Sequence, residues 1–393
     1  MSKFSHAGWA WAVGVLWLIA RPAPAEQEDA RIQGLGVPYV VVDRWEVEPG
    51  RIISDAPSLI RLPDGALLLA YHRIRDPQPN NMRVFRSEDG GKTWEQMSER
   101  VEFGAGRLFL HNEKAYFLGV GPQLRGDIRI SRSDDGGRTW AAPVTLFEGH
   151  KAFYNPATGM VMRDGRLYWT FGAPNLEGRR NTAGSRIVVV AGDLTADLMD
   201  PRSWRISNHL TFPDPKSIAG LTPPGVSYDD HWLEGNVVEV DGKIRVIARC
   251  RIAGHRTVHM AAVCDVDDDG QKLDLRFAQF HPLPGAQNQF HIIYDERSGY
   301  YWMTSNLPTR PQDERRILAL FYGLHPLCWF QAGIVAMGPN RNYAFNYTTP
   351  LIDGDDLLIV SRTSDRHHHD NNMITFHRIK NFRSLAAKLA AEP

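Results

Sequence analysis

Apolar and polar positions alternate along this chain in short runs that stop at Gly, Asp, Pro or Asn. No useful length between residues 37 and 380 has the apolar spacing of an amphipathic helix. The pattern predicts a nearly all-β chain. Six segments share one form, an apolar strand, a tight polar turn and a second apolar strand. They are Asp55 to Tyr71 (turn Pro63-Asp64-Gly65), Gly106 to Gly119 (turn Asn112-Glu113-Lys114), Tyr154 to Phe171 (turn Arg163-Asp164-Gly165), Leu233 to Ala248 (turn Asp241-Gly242), Gln289 to Ser305 (turn near Glu296 to Gly299) and Asn346 to Ser361 (turn Asp353-Gly354). Asp-Gly favours hairpins because the tight turn needs positive φ. A small sheet cannot cover its own faces, so six repeated hairpins predict six sheets stacked around an axis, a six-bladed β-propeller. The strand Tyr39 to Val47 is expected to pair with Met373 to Ile379 and close the ring. On this reading residues 26–50 close the last blade, 51–383 form the propeller and 384–393 are a tail whose Ala- and Lys-rich part suggests a short surface helix.

The first 25 residues break the pattern. Lys3 precedes an apolar stretch from Ala7 to Ala20, and Ala23-Pro24-Ala25 offers a small-x-small cleavage site, the form of a secretory signal too short to be a good bilayer span. Cleavage after Ala25 leaves 43 basic and 45 acidic residues over 368 positions and a secreted or periplasmic chain with no membrane span. The near-zero charge gives no footprint for nucleic acid, and 23% charged residues with 11 Trp are far from a disordered composition. Three cysteines, Cys250, Cys264 and Cys328, are too few for a disulfide scaffold and lack zinc spacing. Cys250 and Cys264 are expected out of register for a bond.

Two octapeptides, Ser87-Glu88-Asp89-Gly90-Gly91-Lys92-Thr93-Trp94 and Ser133-Asp134-Asp135-Gly136-Gly137-Arg138-Thr139-Trp140, fit Ser-x-Asp-x-Gly-x-Thr-Trp and lie 46 residues apart. They resemble the Asp-box, or bacterial neuraminidase repeat, of the sialidase superfamily. Weaker remnants lie at Asp200 to Trp204 and Leu324 to Trp329. The motif is structural: Ser87, Asp89, Ser133 and Asp135 bond the turn, Gly91 and Gly137 permit it, and Trp94 and Trp140 pack between blades.

Ligands of propellers usually bind at the axis, where inner strands begin. Those starts supply Asp55, Tyr154-Asn155, Glu234, Gln289 with His291, and Asn346-Tyr347. The resemblance implies roles for several of them. Sialidases hold the substrate carboxylate with three arginines, protonate the leaving group with an Asp and attack with a Tyr activated by a Glu. Asp76 matches the acid/base, Glu234 the activating Glu, Arg249 the second arginine and Tyr347 the nucleophile, with a register about one residue off. Arg316 matches the third arginine, with Arg310 and Arg315 as competitors. Where sialidases have Arg-Ile-Pro, this chain has Asp55-Ala56-Pro57, so the first arginine is missing. A carboxylate there would repel a substrate carboxylate by about one to a few kcal/mol, which argues against sialic acid itself. Asp55 and Glu234 also resemble the base and acid of five-bladed arabinanase-like glycosidases.

Converging carboxylates suit glycoside hydrolysis, with Asn155, Gln289 and His291 as further substrate contacts. The expectation is an exported hydrolase removing a terminal sugar from a glycan, by Asp55 as base in an inverting route or Tyr347 as nucleophile in a retaining one. Alternatives are a lyase on uronic-acid glycans, with a Tyr or His base, and a non-catalytic glycan-binding propeller. No cofactor or metal is implied: His367-His368-His369 lacks partner spacing, and the Asp265, Asp267, Asp269 run has Arg276 where a calcium loop needs Glu.

Overall fold

The computed structural model describes residues 35, 37–46, 53–74, 82–121, 125–149, 153–175, 185–213, 231–251, 259–309, 314–367 and 371–387. The signal segment, Asp76, Arg310, His368, His369 and the end of the tail lie outside the described residues.

Strands dominate and assemble into six antiparallel sheets, the blades of a six-bladed β-propeller. Each expected hairpin forms the inner pair of one blade. Blade 1 has a split inner strand, Ile53–Ser54 and Ser58–Arg61, both paired with Leu67–Ile74. Blade 2 begins with Gly106–His111, blade 3 with Val161–Arg163, blade 4 with His231–Val240, blade 5 with His291–Asp295 and blade 6 with Ala344–Asp353. The turns have the backbone the sequence requires: Asp164 and Gly165 have φ of 48° and 71°, and Asp241 and Gly242 have 52° and 71°. Blade 6 takes its fourth strand from the other end of the chain, since Tyr39–Arg44 pairs with Met373–Ile379. The chain after Ile379 makes a 3₁₀ turn at Phe382–Leu385.

Six apolar clusters fill the six seams between neighbouring blades. One seam packs Leu59, Leu67 and Leu69 of blade 1 against Leu358, Val360 and Phe376 of blade 6. Burying both faces of every sheet explains why apolar runs here are often continuous, as in Leu67-Leu68-Leu69-Ala70, and do not always alternate.

The two octapeptides turn the chain between the third and fourth strands of blades 1 and 2. Ser87 Oγ accepts from the Gly91 amide at 2.8 Å and donates to Asp89 at 2.9 Å. Asp89 in turn accepts from the Lys92 and Thr93 amides and the Thr93 hydroxyl. Ser133, Asp135, Gly137 and Thr139 repeat this arrangement. Trp94 meets Phe376 edge-to-face at 5.5 Å, and Trp140 packs in the seam between blades 1 and 2. Gly91 has φ of 93°, and a Cβ there would sit 2.3 Å from the Phe376 ring, so glycine is required twice over. The two weaker remnants fall at the corresponding turns of blades 3 and 5, where Trp204 and Trp329 pack in seams. Cys250 lies opposite Trp232 and Cys264 opposite Val246, so the two are not bonded.

Candidate active site

Blades 4 and 6 use one backbone device. In blade 4, Leu233 pairs with Arg249 and Asn236 with Ile247, so Glu234 and Gly235 bulge opposite Ala248 alone. In blade 6, Asn346 pairs with Arg362 and Thr349 with Val360, so Tyr347 and Thr348 bulge opposite Ser361. Glu234 and Tyr347 have φ of 48° and 49°, an uncommon conformation for side-chain-bearing residues that costs on the order of 1–3 kcal/mol. Gly235 completes the first bulge, since a Cβ there would lie 2.7 Å from Val246.

The two bulges aim a carboxylate and a phenol at each other. The Tyr347 hydroxyl donates to Glu234 Oε1 at 2.7 Å. Arg249 donates through Nη1 to Glu234 Oε2 at 2.6 Å and to the Tyr347 hydroxyl at 3.2 Å, and through Nε to the Gln287 carbonyl at 2.9 Å. Arg249 is 1% exposed and Glu234 4%. Burial alone would raise the Glu234 carboxyl, but Arg249 and the Tyr347 hydroxyl outweigh it and hold the group below its ordinary value. Glu234 is therefore an ionised acceptor of the Tyr347 hydroxyl, unsuited to donate a proton to a leaving group.

Cations surround the phenol. The Arg362 guanidinium lies 4.7 Å from the Tyr347 ring centre and that of Arg315 5.6 Å. Arg362 also approaches Asp55, Nη1 to Oδ1, at 3.8 Å. Asp55 occupies the break in the inner strand of blade 1 and is 1% exposed; among the described residues no side chain hydrogen-bonds its carboxylate oxygens, and the nearest backbone donor is its own neighbour Ala56. Burial raises its carboxyl, with the Arg362 charge opposing. Tyr154 belongs to the same electrostatic neighbourhood: burial, then the charges of Asp55, Tyr347 and Glu234, keep its hydroxyl protonated.

Asp55, Glu234, Arg249 and Tyr347, all expected from sequence, thus converge. Other expected contacts are placed differently. Arg316 turns away, to the Glu314 carboxylate at 3.3 Å and the Gly338 carbonyl at 3.1 Å, while its neighbour Arg315 faces Tyr347. Both residues lie just before the strand Ile317–His325, where the Arg315 carbonyl accepts from the Phe345 amide and the Arg316 carbonyl from the Gly338 amide, so the two are tied to different neighbours. Asn155 donates to Thr158 and to the Thr170 carbonyl, and Gln289 reaches the Ala157 carbonyl at 3.4 Å. His291 is saturated. Its Nδ1 donates to the Thr348 carbonyl at 3.0 Å and its Nε2 accepts from Arg107 at 3.0 Å, while burial and the Arg107 charge hold the ring neutral. These three side chains tie inner strands together and leave no His291 nitrogen for a substrate.

Arg362 was not among the expected residues, yet it carries a signal. Tyr347 to Arg362 repeats the spacing of Glu234 to Arg249, fifteen positions in each case. Among the described residues no group of three His, Cys, Asp or Glu could hold a metal ion. The aspartates of the calcium-like run bond elsewhere, Asp265 to Arg245, Asp267 to Arg276 and Asp269 to the Gln271 and Lys272 amides. A cavity of about 560 Å³ lined by Met162, Glu239, Tyr294 and Tyr301 opens at the hairpin-turn end of blades 3 to 5, away from Glu234 and Tyr347.

No family model and no curated protein matches this chain. Solved structures do. An α-L-arabinanase of Penicillium chrysogenum, complexed with arabinobiose, aligns with a TM-score of 0.55 at 15% identity, covering 87% of this chain and 98% of that one. A sialidase of Trypanosoma rangeli in complex with sialic acid aligns with a TM-score of 0.58 at 14% identity, covering 89% of this chain but 60% of its own. An α-L-arabinofuranosidase of Fusarium graminearum with an iminosugar inhibitor gives 0.56 at 13% identity, over 87% and 97% of the two chains. These structural neighbours are glycoside hydrolases, and the likeness is one of fold. Among the described residues no helix is long and apolar enough to cross a membrane.

Proposed function

We propose that this protein is an exported, retaining glycoside hydrolase of the sialidase superfamily that removes a terminal sugar from a glycan. The observation that carries the reading is the buried Tyr347–Glu234 hydrogen bond of 2.7 Å with Arg249 bridging both partners. A phenol is a weak nucleophile until a base takes its proton. Glu234, held ionised beside it, is that base, so Tyr347 attacks the anomeric carbon and forms a glycosyl-enzyme that water then cleaves. The leaving oxygen needs a proton, which Asp76 supplies on this reading. The octapeptide turns of blades 1 and 2 support the superfamily assignment, and the apolar segment Ala7 to Ala20 supports export.

Substrate choice departs from sialic acid. Asp55 stands where the resemblance requires the first arginine, and its charge disfavours a carboxylate at that place. Among the neighbours, one binds arabinobiose and another sialic acid, which makes neutral and acidic glycosides the two classes to compare. A lyase reading is weaker because both nitrogens of His291, one of its candidate bases, are committed.

The test is a screen of purified protein against aryl pyranosides and furanosides, sialosides and uronic-acid polysaccharides, with Tyr347→Phe beside the wild type. Expected are release of a free sugar, loss of at least about a thousandfold in Tyr347→Phe, and trapping of a covalent adduct on Tyr347 by a fluorinated glycoside. An unsaturated product absorbing in the ultraviolet, or full activity in Tyr347→Phe, would refute the assignment.

A further inference from the structure

Buried polar atoms in native proteins almost always have partners, so those that lack one demand a reason. Among the described residues around this site, the atoms without one include both carboxylate oxygens of Asp55 and Nη2 of Arg249. Their chemistry is complementary. An ionised carboxylate only accepts, and a guanidinium only donates. A molecule that satisfies both must bring hydroxyl donors to Asp55 and an oxygen acceptor to Arg249.

The charges narrow the choice further. Glu234 is matched by Arg249 at 2.6 Å, and Asp55 of blade 1 by Arg362 of blade 6 at 3.8 Å. A ligand carboxylate placed beside Asp55 would meet another carboxylate there.

Asp55 is also held rigidly. The adjoining Pro57 carbonyl accepts from Thr349 of blade 6 at 2.7 Å, and Ser58 Oγ accepts from the Leu108 amide of blade 2 at 2.8 Å. The Asp55 amide itself donates to the His72 carbonyl at 2.6 Å. A short segment bonded to both neighbouring blades and to its own strand partner presents its carboxylate in one place, which is what hydroxyl recognition needs.

Resting on the glycosidase reading above, we infer that Asp55 is the specificity determinant of this site, accepting hydrogen bonds from hydroxyls of a neutral terminal sugar, with Arg362 holding it in position. Adjacent ring hydroxyls would engage the two oxygens together, and Arg249 Nη2 would donate to an oxygen of the same sugar.

Binding, measured without turnover, tests this separately from the nucleophile. Wild type, Asp55→Asn and Asp55→Glu are titrated by saturation-transfer NMR with methyl glycosides of neutral pentoses and hexoses, their monodeoxy analogues and the matching uronates. The expected result has three parts. At least one neutral glycoside binds and loses about tenfold or more when one particular hydroxyl is removed. Asp55→Asn loses a similar factor on the intact sugar and little more on that deoxy analogue. The matching uronate binds more weakly than the neutral sugar. Asp55→Glu keeps the Arg362 pair but moves the acceptors, so if Asp55→Asn fails to fold, Asp55→Glu is expected to show the same loss of discrimination. Tighter binding of the uronate or of a sialoside, equal hydroxyl discrimination in wild type and variant, or no neutral glycoside bound at all would overturn the inference. Specific binding without any turnover would refute the nucleophile assignment and leave this one standing.

Discussion

Removing the positive partner from the Glu234 pair exposes what holds the site together. In Arg249→Met the side chain keeps its approximate length, but the Glu234 carboxylate, 4% exposed, loses its 2.6 Å partner. Breaking a buried pair from one side costs about 3–5 kcal/mol, because the remaining charge is neither solvated nor matched. Spread over the unit Gly34–Pro393, with an unfolding entropy of about 2.1 cal/mol/K per residue, that becomes a fall in melting temperature of about 4–7 °C at pH 7.5.

The pH dependence has a definite sign. In the wild type Glu234 sits below its ordinary value, so its contribution is complete at neutral pH and is lost only as pH falls through that lowered value. In the variant burial acts on the carboxyl without Arg249 to oppose it, and the group takes up a proton more readily as pH falls. The difference in melting temperature between wild type and Arg249→Met therefore narrows between pH 7.5 and about pH 5. Adding Glu234→Gln to Arg249→Met restores most of the lost stability, since no buried charge is left. Calorimetry of the three proteins at both pH values measures this. A difference that does not change with pH, or a double variant no more stable than Arg249→Met, would refute the account of a buried ionised pair.

Two other consequences can be checked directly. Arg315→Ala is expected to lower activity on the identified glycoside by about tenfold or more, because its guanidinium faces the Tyr347 ring, whereas Arg316→Ala stays within a few-fold of wild type; the reverse order would undo the placement of the two. Gly91→Ala combines a positive φ with a methyl group driven into Phe376, and should destabilise the protein by about 2 kcal/mol or more in denaturant unfolding, while Gly65→Ala, with the same sign of φ but open space around it, should lose less.

The blades were legible because hairpin turns here are written in local chemistry: Asp-Gly marks the inner turns of blades 1, 3, 4 and 6, and the octapeptides mark outer turns of blades 1 and 2. Glu234, Arg249 and Tyr347 were legible through resemblance. The one-residue mismatch at Tyr347 has a physical source, since a bulge inserts one residue into the strand and shifts every count that passes through it. The choice between Arg315 and Arg316 depended on backbone bonds to Phe345 and Gly338 in a segment outside the strands, which no local pattern announces. Asn155, Gln289 and His291 looked like ligand contacts because they are polar residues at inner-strand starts. In the structure their donor atoms satisfy backbone carbonyls where sheets meet without pairing edge to edge, while Asn155 Oδ1 and Gln289 Oε1 find no partner among the described residues. Arg362 lies on a second strand, away from the polar inner-strand starts, and its only signal in the sequence is that its spacing from Tyr347 repeats that of Arg249 from Glu234.

The pairing of Tyr39–Arg44 with Met373–Ile379 also dictates an order of events. A ribosome makes the first of these strands more than three hundred residues before the second, so during synthesis the opening strand has no edge to join and blade 1 has no seam on one side. Closing so long a loop is entropically expensive and slow, and it comes last whatever the earlier blades have done. Until then the chain carries an exposed sheet edge that can pair with another copy. A chaperone or holding factor that shields Tyr39–Arg44 until the final strand arrives would raise the yield of folded protein, and adding the excised strand as a peptide would compete with its closure.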